Sequence, residues 1–155
     1  MALKLPNYRS IVGPLLGLGG YGQLVQKPRG TAINISQPCV DASITVGDES
    51  DNARAITIQL KDAYGNDINY VEEVEIGVFL DAGRLAYVVT GGSTGIAIGT
   101  DGALLTLVAK KRFLATSEAD GDLDLSWTDT GTEVAFLGVK LPNGRYVMSS
   151  ALTNA

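Results

Sequence analysis

The sequence predicts an all-β protein, an antiparallel β-sandwich preceded by an extended, irregular N-terminal arm. From about residue 42 onward, apolar and polar residues alternate with a period of two, which is typical of strands with one face in a core and one in water. The 155 residues include 19 glycines, enough for many tight turns. No window of useful length shows the period of a helix.

The individual strands are predicted from this alternation and from the turns between them. Clear alternation covers residues 42–46, 56–60 and 122–126, and further strands are predicted at 31–36, 71–80, 84–90, 103–109, 133–141 and 144–149. Turn sequences separate them: Tyr64-Gly65-Asn66-Asp67, Asp81-Ala82-Gly83, Gly91-Gly92-Ser93, Asp101-Gly102, Asp120-Gly121 and Pro142-Asn143-Gly144. Turns about every 8–12 residues favour a sandwich, and both an immunoglobulin-like and a jelly-roll topology fit the pattern.

Residues 1–40 form the predicted arm and residues 41–155 the predicted sandwich domain. Frequent glycine and proline in residues 1–30 interrupt both helical and strand periodicity. The same segment carries many large apolar residues, which are unfavourable in water without a partner. We therefore expect the arm to be ordered against a neighbouring chain.

Charge divides the chain at the same place. Residues 1–40 contain four bases and no acid, whereas residues 41–155 contain all 17 acids and eight bases, which gives net charges of +4 and −9. Such asymmetry indicates an arm with a partner of its own. The predicted partner-binding residues are the bases and apolar side chains of the arm: Lys4, Leu5, Tyr8, Arg9, Ile11, Leu15, Leu16, Leu18, Tyr21, Lys27 and Arg29.

Residue types that are missing or rare in the sequence argue against several classes of function. There is no histidine, the commonest general base and metal ligand, and Cys39, the only cysteine, is predicted to be a small buried apolar residue. We therefore predict no enzymatic activity, no cofactor and no metal. The acidic pI of about 4.6 argues against nucleic-acid binding by the body. The apolar stretch 11–25 is too short to span a membrane and makes a poor signal peptide, so we expect a soluble intracellular product.

Residues 17–22 spell a GxGxxG string. A dinucleotide site requires a strand before this string, a helix after it and an acid about twenty residues later. Here Pro14 precedes the string, Pro28 follows it, and the first acid in the chain is Asp41. The string is therefore interpreted as part of the arm.

A row of carboxylates resembles part of a calcium loop: Glu118, Asp120, Asp122 and Asp124. The glycine and glutamate that an EF-hand loop requires are missing from their positions. Carboxylates two residues apart share one face of a strand, so a solvated face is favoured. Calcium stays an alternative, with Asp129 as an extra ligand.

Three glutamates, Glu72, Glu73 and Glu75, are the remaining acid/base candidates. Glu73 and Glu75 are predicted to share a strand face, but no aromatic platform or apolar pocket supports a glycosidase. The basic run 110–112 is an alternative partner for acids of a neighbouring subunit, although solubility is favoured for both groups. Trp127 is predicted to face the core.

Two resemblances appear in the ordered turn motifs. The run Ile56 to Ile68, an alternating strand followed by a Gly-Asn turn, resembles the opening hairpin of bacterial immunoglobulin-like modules. A longer series across residues 42–150 adds the motifs at 97–102, 111–122 and 136–144. It is similar to small structural proteins of tailed bacteriophages and prophages that look like head decoration, cement or head-fibre proteins.

The resemblance implies a virion structural protein, made in the host cytoplasm, that decorates and stabilises the capsid exterior. Its implied partners are the major capsid protein, reached through the arm, and neighbouring copies of itself in a trimer or dimer. An alternative is a host-surface or glycan-binding module of a fibre or spike, using the loop 91–95 and the tyrosines Tyr64, Tyr70 and Tyr87. A histidine-free glycosidase using Glu73 or Glu75 is a third.

Overall fold

Nine β-strands in two antiparallel sheets make up the described part of the chain, residues 37–154 of a computed structural model. The strands are β1 (Asp41–Ser50), β2 (Ala53–Lys61), β3 (Glu73–Phe79), β4 (Gly95–Ile98), β5 (Ala103–Val108), β6 (Arg112–Thr116), β7 (Asp122–Thr128), β8 (Ala135–Lys140) and β9 (Tyr146–Leu152). The predicted all-β, antiparallel sandwich is confirmed. Within residues 37–154, no helix is long and apolar enough to cross a membrane.

The strand order corresponds to that of an immunoglobulin-type sandwich. One sheet has the order β1-β2-β7-β4 and the other β5-β6-β3-β8-β9. The first sheet matches the order A-B-E-D, and the last three strands of the second match C-F-G. The hairpin β5–β6 is inserted between the D and E positions and extends the second sheet. This insertion places β5 at an outer edge.

The core lies between the two sheets and is built by the predicted alternation. The four-stranded sheet contributes Ile56, Ile58, Leu60, Leu123, Leu125 and Trp127, each no more than 2% exposed. The five-stranded sheet contributes Val74, Ile76, Val78, Leu137 and Val139, each no more than 1% exposed. Full burial of one such side chain contributes about 1.5–3 kcal/mol. Trp127 faces this core, as predicted.

Two hairpins show how local sequence fixes the strand register. Asp51 and Asn52 connect β1 to β2 with positive φ values of 53° and 64°, the conformation of a type I′ turn that Asp and Asn tolerate. The predicted hairpin at residues 142–144 joins β8 to β9. There the N–H of Leu141 donates to the carbonyl of Arg145 at 2.8 Å, and Gly144 has φ 83°.

The strand predicted at 84–90 is wrong. Arg84 has φ 61°, and only Tyr87 forms a bridge, to Phe79. Leu85 is 90% exposed, so the apolar residues of this segment do not form one buried face. The segment is a loop whose position depends on contacts with β3.

The prediction also omitted β4 and β6. β4 is only four residues long, too short for alternation to be recognised. β6 follows β5 through Lys110, which adopts φ 60° and makes the turn without glycine. The strand predicted at 31–36 lies outside the described residues.

Candidate functional site

The outer face of the five-stranded sheet carries an aromatic group that we call the aromatic face: Phe79, Arg84, Tyr87 and Tyr146. Phe79 lies on a shallow floor formed by Gly77 of β3 and Gly138 of β8, which are direct neighbours. A Cβ atom at Gly77 would approach the Phe79 ring to 2.7 Å, and one at Gly138 to 2.9 Å. The two glycines therefore make room for the ring.

The rings are stacked in layers above this floor. The Phe79 and Tyr87 centroids are 4.8 Å apart with an interplanar angle of 19°, and Tyr146 meets Phe79 edge-on at 6.2 Å. The Arg84 guanidinium carbon lies 4.2 Å from the Tyr146 centroid, a cation–π contact. Phe79 is only 4% exposed, whereas Tyr87 is 40% exposed. Tyr87 is thus the exposed upper layer.

The loop between β3 and β4 holds Tyr87 and Arg84 in place. The turn predicted at 81–83 brings the N–H of Leu80 within 3.0 Å of the carbonyl of Ala86. The N–H of Val88 then donates to the carbonyl of Val78 at 3.1 Å, and Val88 is fully buried. This anchor fixes the loop against the sheet.

A compact ion cluster lies beside the aromatic face. Glu75 of β3 accepts hydrogen bonds from Arg112 of β6 and from Lys140 of β8, the latter at 3.3 Å. The hydrogen bond from Arg112 and the charge of Lys140 hold the pKa of Glu75 below its usual value. Arg112, suggested as a partner for a neighbouring subunit, is therefore paired within its own chain. Glu73 and Glu75 share a face as predicted.

The loop 91–95, an alternative ligand contact, is bound closely to the body. Glu133 accepts hydrogen bonds from Thr90 and from the N–H of Gly92, and Lys110 Nζ donates to the carbonyl of Ser93 at 2.7 Å. Burial acts to raise the pKa of Glu133, but these hydrogen bonds outweigh it and keep the pKa low. Asp129, 4% exposed, accepts from the N–H of Ser93 at 3.1 Å. Asp129 thus acts as a structural acceptor here.

The carboxylate row is spread over separate local contacts. Glu118 accepts from the N–H of Gly102 at 3.2 Å, and Asp124 accepts from the Thr57 hydroxyl at 2.8 Å. Burial, with the charges of nearby carboxylates, raises the pKa of Asp122. Among residues 37–154, no three carboxylate or cysteine side chains are arranged to hold a metal ion.

The hairpin that resembles immunoglobulin-like modules is stabilised by Asp62. This residue is 7% exposed, and its carboxylate accepts from the N–H groups of Tyr64 and Asn66 at 2.8 and 2.9 Å. Gly65 takes φ 82° between them. The motif therefore has a structural role in this chain.

Cys39 is buried as predicted, with 2% exposure. Burial, reinforced by the charge of Glu72, raises the pKa of its thiol to about 11. A thiol in this state is a poor nucleophile at neutral pH.

Strand β5 forms a second exposed feature, which we call the apolar edge: Leu105, Leu107 and Val108. These side chains are 61%, 47% and 45% exposed. A bulge between Thr106 and Val108 leaves Leu107 without a partner on β6. The apolar edge was not identified from the sequence as a site. Of the aromatic face, the sequence singled out only Tyr87, as one of the tyrosines of the glycan-binding alternative. Glycines within two predicted strands were a further signal of close approach.

The predicted partner-binding residues, Lys4 to Arg29, all lie outside the described residues. No protein-family model matches the sequence, and no curated protein matches it. Among solved structures, the chain is similar to a cohesin module from a family 33 glycoside hydrolase of Clostridium perfringens ATCC13124. The identity is 16%, with 76% of this chain and 97% of that module covered and a TM-score of 0.39.

Proposed function

We propose that this protein is a non-catalytic virion structural protein that decorates and stabilises a bacteriophage capsid. Its sandwich body would sit on the capsid exterior, attached to the major capsid protein through residues 1–40. The observation that carries this proposal is the segregation of charge, since all 17 acids follow residue 40 and the arm has four bases. The resemblance of residues 42–150 to phage head proteins is the reason for proposing a capsid as the structure to which the protein binds.

The proposed attachment combines two interactions. The apolar side chains of the arm are buried across capsid subunit boundaries, and Lys4, Arg9, Lys27 and Arg29 pair with capsid carboxylates. Many equivalent sites on one particle then give avidity, so that single contacts need not be strong. The acidic body stays in solvent and keeps the free protein soluble.

A scaffold role for the sandwich body is supported by its carboxylates, several of which are used in contacts within the fold. Glu75 is neutralised by two bases, and Asp62, Asp129 and Glu133 each accept hydrogen bonds from loop backbone. These carboxylates stabilise turns and strand contacts. A rigid body of this kind suits a protein repeated over a particle surface.

Deleting residues 1–30 tests the attachment. We expect the shortened protein to remain folded, because the buried core described for residues 37–154 begins at Cys39. It should no longer co-sediment with heads that lack the protein, whereas the full chain should. A full chain with Lys4, Arg9, Lys27 and Arg29 changed to Glu should bind at least about tenfold more weakly. Full binding by the shortened protein would contradict the proposal.

The second candidate function, binding of a host-surface glycan, is favoured by the aromatic face. A flat tyrosine ring with a second ring behind it offers a stacking surface for the apolar face of a sugar, and Arg84 supplies hydrogen-bond donors nearby. Glycan-array binding by the full chain, lost in Tyr87→Ala and kept in Tyr64→Ala, would favour this function. Tyr64 is the matched control because it is 55% exposed in a hairpin turn.

A further inference from the structure

The aromatic face includes a positively charged group without an ion-pair partner among residues 37–154. Arg84 is exposed, and none of the ion pairs described for these residues includes it. Its guanidinium stacks instead on Tyr146, with the guanidinium carbon 4.2 Å from the ring centroid. Stacking occupies a flat face of the guanidinium, whereas its N–H donors point outward in the plane. They can therefore bind a carboxylate through two parallel hydrogen bonds.

Bases outnumber acids around the rings of the aromatic face. Lys140 is opposite Tyr146 in the register of β8 and β9, and Arg112 interacts electrostatically with the same tyrosine. Both of these bases pair with Glu75 and neutralise it. With Arg84 included, three bases lie beside one adjacent acid.

The strands and the loop that carry the aromatic face contain two further acids, which do not reverse this excess. Asp81, in the same loop as Arg84, accepts a hydrogen bond from the N–H of Leu85 at 3.3 Å. Glu73 lies at the opposite end of β3 from Phe79. The sandwich body as a whole carries a net charge of −9. An anion is therefore repelled by most of the body and attracted to the aromatic face.

We propose that the aromatic face binds an acidic sugar, a pyranose ring that carries a carboxylate. The sugar ring stacks on the exposed face of Tyr87, and the carboxylate accepts hydrogen bonds from Arg84. The two residues stand three positions apart in one loop, which Val88 anchors to β3 through a hydrogen bond of 3.1 Å. The proposal rests on the second candidate function, glycan binding, and specifies the class of glycan.

Binding of the full chain to immobilised uronic-acid oligosaccharides tests the proposal. Each oligosaccharide is paired with its methyl ester, which keeps the sugar rings and removes their charge. We expect the acid to bind at least about tenfold more tightly than the ester, because only the acid forms charged hydrogen bonds with Arg84. The proposal fails if acid and ester bind equally or if neither binds. In both cases, binding of neutral glycans on the same array decides separately whether the second candidate function stands.

Two variants that each remove one base locate the binding site. Arg84→Ala should bind the acid no better than the ester. Lys61→Ala is the matched control, because Lys61 ends β2 on the other sheet and pairs with Asp67 at 2.6 Å. It should keep the native preference for the acid. Equal losses in the two variants would attribute the preference to overall charge and overturn the proposal.

Glu75→Gln tests the effect of charge within the site. The substitution removes the acid beside the rings and releases Arg112 and Lys140 from their ion pairs. The acidic oligosaccharide should therefore bind about two- to threefold more tightly, whereas the ester should bind as it does to the native protein. Weaker binding of the acid would contradict the placement of its carboxylate beside these bases.

Discussion

The outer faces of the two sheets carry different kinds of side chains. The strands of the four-stranded sheet contain five acids and two bases, and their outward positions are small or polar, such as Ser43, Thr45 and Thr57. The strands of the five-stranded sheet contain two acids and two bases, and both bases pair with Glu75. The first face is a solvated surface, whereas the second is electrically neutral and aromatic.

The alternation of apolar and polar residues along a strand therefore does not determine whether its outward face is solvated or covered by further side chains. Both sheets bury one face in the common core to the same degree. On the five-stranded sheet the outward residues build a further layer, in which Phe79 rests on Gly77 and Gly138 and is covered by Tyr87. Substitutions at matched outward positions should therefore have unequal costs.

The largest difference in the free energy of unfolding between the two sheets is expected when one outward side chain on each sheet is truncated to alanine. Phe79→Ala should lower the free energy of unfolding by about 3–5 kcal/mol, because it empties the space between the glycines and Tyr87. Thr57→Ala should cost about 1 kcal/mol or less, since it removes a single exposed hydrogen bond to Asp124. Urea denaturation of the two variants measures both values. Equal losses would show that Phe79 is not packed as described.

A smaller difference is expected from adding one methyl group to each sheet. Gly77→Ala should cost about 1–3 kcal/mol, as its Cβ would come within 2.7 Å of the Phe79 ring. Gly47→Ala is the matched control on β1, where the nearest atom to the new Cβ lies at 3.4 Å. It should change stability by no more than about 0.5 kcal/mol. The same denaturation experiment decides, and a harmless Gly77→Ala would contradict the close approach.

The smallest expected effects are changes in folding stability with pH. Ionised carboxylates on the two sheets change stability in opposite directions. The lowered pKa of Glu75 means that its carboxylate stabilises the fold above its ordinary pKa of 4.5, and that this contribution disappears as pH falls through the lower folded value. The raised pKa of Asp122 means the reverse: its charged form opposes folding at neutral pH, and the penalty disappears as pH falls through a folded value above 3.8.

Glu75→Gln should therefore reduce stability at pH 7 by about 1 kcal/mol, whereas Asp122→Asn should raise it by about 0.5 kcal/mol. Both differences from the native protein should shrink as pH falls and the native carboxylates become protonated in the folded state. Thermal unfolding across this pH range measures the effect. Shifts of the same sign for the two variants would contradict the contrast.

Much of the fold follows from sequence because its determinants are local. The alternation at residues 56–60 and 122–126 fixes which side chains enter the core, and the Gly-Asn turn at 65–66 fixes a hairpin through Asp62. The errors occurred where tertiary contacts override local pattern. Residues 84–90 have the composition of a strand, but their partner is the end of β3 and not a full neighbouring strand.

The candidate sites could be predicted less well, because each one combines residues distant in sequence. The aromatic face joins the loop after β3 to the start of β9, and the ion cluster joins β3, β6 and β8. The openness of β5 depends on the order of strands in its sheet, which places a hairpin inserted late in the chain at the outside. Local patterns contain no information about that order.

Four properties follow from the amino-acid sequence alone: the all-β class, the inward face of the principal strands, the burial of Trp127 and Cys39, and the charge boundary at residue 40. These properties depend on periodicity, side-chain size and counting, which need no long-range contact. Which strands became edges, and which outward residues met one another, depended on the packing of the folded chain. The reason is physical: an edge exists only relative to its neighbours, and an outward phenylalanine becomes a buried layer only when two glycines and a tyrosine meet around it.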